Sequence, residues 1–414
     1  MPRNTPPRTA TALRRNTALR KNTAYIYDAV RLPRARVRRH GGTLAGIPPV
    51  ELIGRLLTAL GDRSPVSQVT DDVILGISTV TGEHAGDLAR AAVQWARWPD
   101  HVPGGVVSRL CCSGLDALDS AAARVSAGFA RVIVAGGVES MSRVPMLSDS
   151  PPIATDPDLG ERTGFVTIGV SADLTAARYG FSREVLDSYA VQSHRRAAAA
   201  PPSPAVVPVR TGGAELTSDE GIRSDITLED LAVLPALFGD DPAWERVARQ
   251  LPESPRPGTG LHTVATAPQL ADCASAVVIG NAEAGSVLSL PARAQIAGTA
   301  HTAVRSPLLT APVEASRRAL EMAGLTPADL DIVEVNESFA VTPLMMIAEL
   351  DIDPARVNAC GGALAVGHPL GATGGILVAH ALEQLERTDG EHALVTIPAA
   401  LGLGAAMVLR RVRP

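Results

Sequence analysis

RLCCSGLDALDSAAARVSAGFARVIVAGG, residues 109–137, reads as a loop, an alanine-rich helix over 113–127, a buried strand over 132–135 and a glycine pair, Gly136 and Gly137. The same order returns in GGALAVGHPLGATGGILVAHALEQLERTDGEHALVTIPAALGLG, residues 361–404: a glycine-rich loop, a helix over 374–385, a strand over 393–397 and more glycines. A second pair of segments agrees. ELIGRLLTALGD (51–62) followed by DDVILGIS (71–78) matches VEASRRALEMAGLTPADLDIVEVNES (313–338) as helix, turn and strand. Helical spacing of apolar residues covers 51–60, 87–98 and 313–323. Runs rich in β-formers cover 24–30, 73–77 and 331–335. Helices alternating with short β-branched runs give an α/β fold. The self-similarity makes it two halves of one plan, about 120 residues each.

Between the halves lies a stretch of different character, 143–265. It holds AAAAPPSPAVVPV (197–209) and LPESPRPGTG (251–260), with an isolated helical patch over 183–196. It reads as an inserted, loop-rich subdomain, the kind of segment that shapes a binding site. The expected division is therefore 24–142 with 266–290 as the N-terminal half, 143–265 as the insertion and 291–414 as the C-terminal half. Residues 1–23 carry six basic residues and no acid, and they read as a disordered basic tail outside the fold.

The composition narrows the function classes. The chain has 414 residues, 46% hydrophobic and 20% charged, enough for a large core. Thirty-eight basic against 43 acidic residues leave a net charge of −5, so no bulk positive field points to nucleic acid. Lys21 is the only lysine, an arginine bias of genome-composition type that suggests a bacterial source. The longest apolar stretch, 393–409, is interrupted by Pro398, Gly402 and Gly404, too short and broken to span a bilayer. Four cysteines (Cys111, Cys112, Cys273, Cys360) form no Cys-x-x-Cys pair and no disulfide framework. No metal is expected, and the compartment expected is the cytoplasm.

Three positions carry chemistry. Cys111 stands before a helix, where the dipole and free backbone N–H groups favour a thiolate nucleophile. A cysteine of this kind is otherwise a small core residue. His368 lies in GGALAVGHPLGATG, a loop whose glycines let backbone approach a ligand closely. Cysteine with histidine is a nucleophile–base pair. Asn336 follows the strand of the second half, the end of an open α/β sheet where active sites gather, and an amide there can serve an oxyanion.

With AYIYDAVRLPR (24–34), RLCCSGLDAL (109–118), AGGVESMSRVPM (135–146), GFSREVLDSYAVQS (180–193), SDEGIR (218–223), VNESFA (335–340) and GGALAVGHPLGATG (361–374) in order, the chain resembles the thiolase family over about residues 24–411. The likeness is nearest to bacterial acetyl-CoA C-acyltransferases. It implies a five-layer αβαβα fold of two similar halves with an inserted loop domain covering coenzyme A. It implies that Cys111 is acylated by a thioester and that His368 takes its proton. Asn336, through a water, and His368 would form one oxyanion site, and the backbone N–H groups of Cys111 and Ala400 the other. Arg223 would lie near the CoA adenine, and Ile168, Phe238 and Phe339 along the pantetheine tunnel, although each of those three also reads as core packing. The thioester is then a substrate, with no bound cofactor, and a homodimer or homotetramer is implied.

The sequence departs from that family at the second reaction step. In TIPAALGLGAAM (396–407), Pro398 occupies the position of the family's second catalytic cysteine, the base for the α-proton, and Ala400 that of the glycine after it. Losing a general base costs about 10²–10⁴ in rate. Pro268, in HTVATAPQLADCASA (262–276), stands for a serine that contacts pantetheine. Three readings follow. The first is an acyltransferase that loads Cys111 from an acyl-CoA or a carrier thioester and serves an acceptor needing no enzymic α-proton base. The second is an ordinary thiolase with a substitute base such as Cys360. The third is a non-catalytic scaffold.

Overall fold

The computed structural model describes residues 23–413. The tail assigned to 1–23 therefore lies outside the described residues, apart from Thr23. Nine strands form the framework: β1 (Tyr25–Arg31), β2 (Asp72–Gly76), β3 (Gly105–Val107), β4 (Val132–Ser140), β5 (Ala271–Gly280), β6 (Ala294–Ala303), β7 (Ile332–Val335), β8 (His392–Ala399) and β9 (Leu403–Arg411). They run in the order β3-β2-β4-β5-β1-β6-β9-β8-β7.

That order is one pattern written twice. In the N-terminal half β2 is parallel to β3 and β4, and β5 is antiparallel to β4 and β1. In the C-terminal half β7 is parallel to β8, and β9 is antiparallel to β8 and β6. Where β3 flanks β2, a single parallel bridge from Val357 flanks Val333 of β7. Among the described residues the two sheets meet where β1 pairs β6, at Tyr25 with Gln295 and Ile26 with Ala294.

The helices complete the layers. In chain order they are α1 (Pro49–Arg63), α2 (Leu88–Trp95), α3 (Ser113–Ser126), α4 (Ile168–Tyr179), α5 (Arg183–Ala199), α6 (Ala311–Ala323), α7 (Val341–Leu350) and α8 (Thr373–Thr388). Period-two alternation on the strands sends side chains to opposite faces. On β4, Ile133 and Ala135 enter a cluster with Leu118 of α3, Leu382 of α8, Val395 of β8 and Met407 of β9. Val132, Val134 and Val138 face the other way, onto Leu52 and Leu56 of α1 and Val93 of α2. Leu320 of α6 and Met345 of α7 cover Val333 and Val408 on the outer face of the second sheet. The result is helix, sheet, helix, sheet, helix, with α3 and α8 sharing the middle layer. β4 and β5 are buried along their whole length and β8 everywhere but His392, which is why these strands read as apolar runs.

Glycines set the spacing inside this middle layer. A Cβ on Gly137 would lie 2.0 Å from the Gly371 carbonyl oxygen, and one on Gly114 would lie 2.4 Å from the same atom. The glycine pair 136–137 does not end the strand as the sequence suggests. It continues β4 to Ser140, because backbone from the other half passes over it.

The segment between β4 and β5, residues 141–270, is more helical than its proline content suggests. α5 is longer than its expected patch, and α4 escaped the pattern altogether. Residues Gly169 to Ala176 of α4 are all buried, so the helix has no polar face to create a period. α7 (VTPLMMIAEL) is apolar on nearly every side of the helix and likewise shows no amphipathic period.

Candidate active site

Cys111 sits on a strained turn at the head of α3. Leu110 before it adopts φ +51, a left-handed backbone that a branched aliphatic residue rarely takes. Ser113 holds the turn: its hydroxyl accepts the Arg109 N–H (2.8 Å) and donates to the Leu110 carbonyl (2.6 Å). Cys111 is buried, and its own N–H and that of Ala400 are directed at its sulfur. Ala400 is not among the residues with positive φ; the turn after it uses Leu401 and Gly402 for that.

The expected thiolate is not the resting form. Burial, and then the nearby Glu139 carboxylate, push the Cys111 thiol up to about 12, against the two backbone N–H groups. The helix terminus is present but desolvation outweighs it.

His368 reaches the same region from the second half. Gly367 (φ +96) turns the chain, and the His368 N–H donates to the Gln269 carbonyl (2.9 Å). Asn336 Nδ2 lies 3.3 Å from His368 Nε2 and donates its other hydrogen to Ser338 Oγ (2.7 Å). An amide donor there makes Nε2 the acceptor, so Nδ1–H is assigned as donor to Thr373 Oγ1, 2.8 Å away. Burial, reinforced by the charge of Arg34, drives the imidazole down to about 3, so it is neutral and can accept a proton. Asn336 is fixed in turn: its N–H donates to the Thr396 carbonyl, and its own carbonyl accepts Thr342 Oγ1.

Two buried carboxylates hold these loops, and neither was singled out from the sequence. Glu139 Oε2 accepts the N–H groups of Ser78 and Gly371 (both 2.9 Å) and Oε1 that of Thr79 (3.2 Å), which ties the His368 loop to the first half. Burial raises it to about 7 against those hydrogen bonds. Glu337 accepts from Ser193 Oγ (2.7 Å), the Leu364 N–H (3.0 Å), Asn358 Nδ2 and Tyr189 OH. Burial raises its pKa as well. The signal was available: an acid inside an apolar run such as AGGVES has to be paired.

The remaining candidates fall into two groups. Phe339, Phe238 and Ile168 share one apolar cluster, with the two phenylalanine rings edge to face at 5.8 Å. Behind Phe339 lies a fully buried pair, His262 Nδ1 and Asp173 at 2.7 Å, with the imidazole edge-on to the Phe339 ring. Arg223 is exposed, its N–H bound to His194 Nδ1. Pro398 is buried in β8 opposite Gly404, beside Ile397, whose carbonyl receives the Cys112 thiol. Pro268 is half-buried next to Gln269, which carries the His368 loop.

Cys360 does not belong to this constellation. Its sulfur is 3.2 Å from Arg387 Nη2, near the C-terminal end of α8. His368 is held by Thr373 at the other end, and Thr373 to Arg387 spans roughly 20 Å of helix. The expectation that Cys360 could replace the missing base is therefore corrected. Among the described residues, Asp116, Asp119 and His301 bring metal-ligand atoms together. Arg109 (3.1 Å) already neutralises Asp116, and Thr299 donates to Asp119.

Cys111 comes from the loop ahead of α3, His368 from the loop ahead of α8 and Asn336 from the end of β7: a buried thiol, a neutral imidazole and an amide, residue types suited to acyl transfer. Family models agree: residues 25–243 match the thiolase N-terminal domain and residues 290–411 the thiolase C-terminal domain. The chain belongs to the thiolase family and is an acyltransferase. It is 35% identical to a beta-ketoadipyl-CoA thiolase of Pseudomonas knackmussii, over 94% of this chain and 99% of the relative. It is 34% identical to a steroid 3-ketoacyl-CoA thiolase of Mycobacterium tuberculosis, over 94% of each. The crystal structure of the Bacillus anthracis acetyl-CoA acetyltransferase superposes with a TM-score of 0.82 at 29% identity, covering 95% of this chain and all of the other. No helix among the described residues is long and apolar enough to cross a membrane.

Proposed function

We propose that the chain takes an acyl group from an acyl-CoA, or from the same arm on a carrier protein, onto Cys111 and passes it to an acceptor that needs no enzymic α-proton base. Cys111 Sγ attacks the thioester carbonyl while its proton passes to His368 Nε2. With the thiol held near 12 and the imidazole near 3, transfer accompanies the attack instead of preceding it. The oxyanion is met by the N–H groups of Cys111 and Ala400, preorganised donors where charge develops. The carbonyl re-forms, the bond to the CoA sulfur breaks, and His368 returns the proton to the departing thiolate. Asn336 and His368 then face the acceptor. The acceptor is an amine, an alcohol, water or a carbanion released by decarboxylation. Arg223 serves the CoA adenine, and Ile168, Phe238 and Phe339 the pantetheine arm.

One observation carries this reading. Asn336 and His368 lie 3.3 Å apart and the His368 loop packs against the head of α3 that carries Cys111, while the strand position aligned with the family's base is Pro398, with neither an ionisable group nor an N–H. The full-length likeness to beta-ketoadipyl-CoA thiolases favours a second reading, ordinary cleavage or condensation of 3-ketoacyl-CoA. Intact-protein mass spectra after incubation with acyl-CoAs, beside Cys111→Ala, test the loading step: an acyl mass lost in the variant supports it. Pro398→Cys separates the two readings. A rise of more than about 10² in acetoacetyl-CoA thiolysis supports the missing base, and an unchanged high rate supports the ordinary thiolase.

The open edge of β3 supports a homodimer or homotetramer, since an uncovered strand edge recruits pairing. Four free thiols fit a reducing compartment, the cytoplasm.

A further inference from the structure

A single helical turn, Ala363–Val366, delivers His368, and its end leaves two carbonyls to be satisfied. A continued helix would bond the Leu364 carbonyl to the N–H of residue 368 and the Ala365 carbonyl to that of residue 369. Residue 369 is proline, which has no N–H. The His368 N–H is directed elsewhere, to the Gln269 carbonyl (2.9 Å). Leu364 and Ala365 are buried, so their carbonyls need a partner within the protein.

The Gln269 side chain supplies it. Nε2 donates to the carbonyls of Leu364 (3.2 Å) and Ala365 (3.0 Å), and also to that of Gly221 (3.2 Å) in the insertion. One residue thus takes the His368 N–H on its backbone and returns a donor to the carbonyl which that N–H would have met. The amide has one workable orientation. Turned over, Oε1 would face three carbonyl oxygens; as it stands, Oε1 is buried without a partner among the described residues. The neighbouring segments have anchors of their own. Glu337 accepts the Leu364 N–H (3.0 Å) at the start of the turn. Asp219 and Glu220 hold the 218–223 segment on Arg31, Arg34, the Arg36 N–H and Thr43. What the amide adds is the C-terminal end of the turn, from which His368 leaves.

We propose that Gln269 is a positioning residue for the acylation step: its amide caps the 363–366 turn and so fixes the direction in which His368 leaves it. The inference rests on the reading above, that His368 takes the Cys111 proton. Gln269→Met keeps the length and bulk of the side chain but has no N–H. Single-turnover acylation of Cys111 by acetyl-CoA, followed by intact mass over a concentration series, gives a limiting rate and a half-saturating concentration. Hydrogen exchange of the peptide 361–374 reads the loop without any chemistry. The expected variant has a limiting rate lower by about tenfold or more. Its half-saturating concentration stays within about threefold, since the 218–223 segment keeps its own anchors. Exchange quickens in 361–374 and stays parental in 132–140, which separates a lost cap from general loosening. Gln269→Glu supplies the rescue. Its carboxylate repels the three carbonyls, whereas its protonated form has an O–H to donate. Its rate relative to Gln269→Met should therefore rise as pH falls from about 8 to 5. A limiting rate within about threefold of the parent, unchanged exchange of 361–374, or no gain of Gln269→Glu in acid overturns the proposal. A parent that takes no acyl group, with exchange still quickened in the variant, supports the cap and overturns the acylation reading instead.

Discussion

Gly114→Ala tests whether the backbone contact in the middle layer positions the acylation site. The new Cβ would lie 2.4 Å from the Gly371 carbonyl oxygen and 3.1 Å from the Gly374 nitrogen, where ordinary contact begins at 3.4 Å. The His368 loop therefore has to retreat about 1 Å from the head of α3. Both neighbours are backbone, so no rotamer change relieves the clash. Overpacking of this kind costs about 1–3 kcal/mol, partly offset by alanine's helix preference of about 1 kcal/mol. A misplacement of about 1 Å between reacting groups costs on the order of 10² in rate. The expected variant is folded, slightly less stable, and about a hundredfold slower in acylation of Cys111 by acyl-CoA, followed by intact mass against time. Gly46→Ala is the control, since a Cβ there meets nothing within 4 Å. Acylation by Gly114→Ala within threefold of the parent, with parental stability, would refute the idea that this contact sets the geometry.

Other outcomes follow from the same structure. Iodoacetamide labelling of Cys111 should climb about tenfold per pH unit from 7 to 9, since a thiol near 12 is almost wholly protonated there; a plateau near neutrality contradicts the burial argument. Thr373→Val removes the Nδ1 partner of His368 and should lower the acylation rate tenfold or more with unchanged thermal unfolding. Asp219→Asn strands Arg31 and Arg34 and should cost about 3–5 kcal/mol in urea unfolding. Burial opposes ionisation of Asp219, but the two guanidiniums override it and hold the carboxyl well below the usual range. Its contribution is then complete above the unfolded value of about 3.9 and is lost as pH falls further, so parent and variant should converge only in acid.

The duplicated plan was legible because two loop–helix–strand units repeat with their glycines, and the helices over 51–60 and 313–323 differ from the observed ones only at their ends. The motifs around Cys111, Asn336 and His368 carried enough chemistry to single those residues out. Three things were not legible. α4 is buried from Gly169 to Ala176 and α7 is apolar along nearly its whole length, so no amphipathic period marks them. The protonation state of Cys111 depends on desolvation by both halves, which no local segment contains. Glu139 and Glu337 act on backbone N–H groups distant in the chain, and only the folded register brings those donors together. Cys360 failed for a related reason: its distance from the nucleophile is set by the length of α8, not by its nearness to Gly361 in sequence.

The shared middle layer has a consequence for how the chain can be divided. Only a short connection, 281–293, joins β5 to β6, so it looks like a natural place to cut. Yet α3 finishes the interior of both sheets, and so does α8. Each fragment would emerge with a bare sheet face and one catalytic partner missing: the thiol in one, the imidazole in the other. Produced separately, the pieces should precipitate. Produced together, they should recover activity only as a one-to-one complex, which makes this connection a place to build a split reporter whose signal requires both fragments.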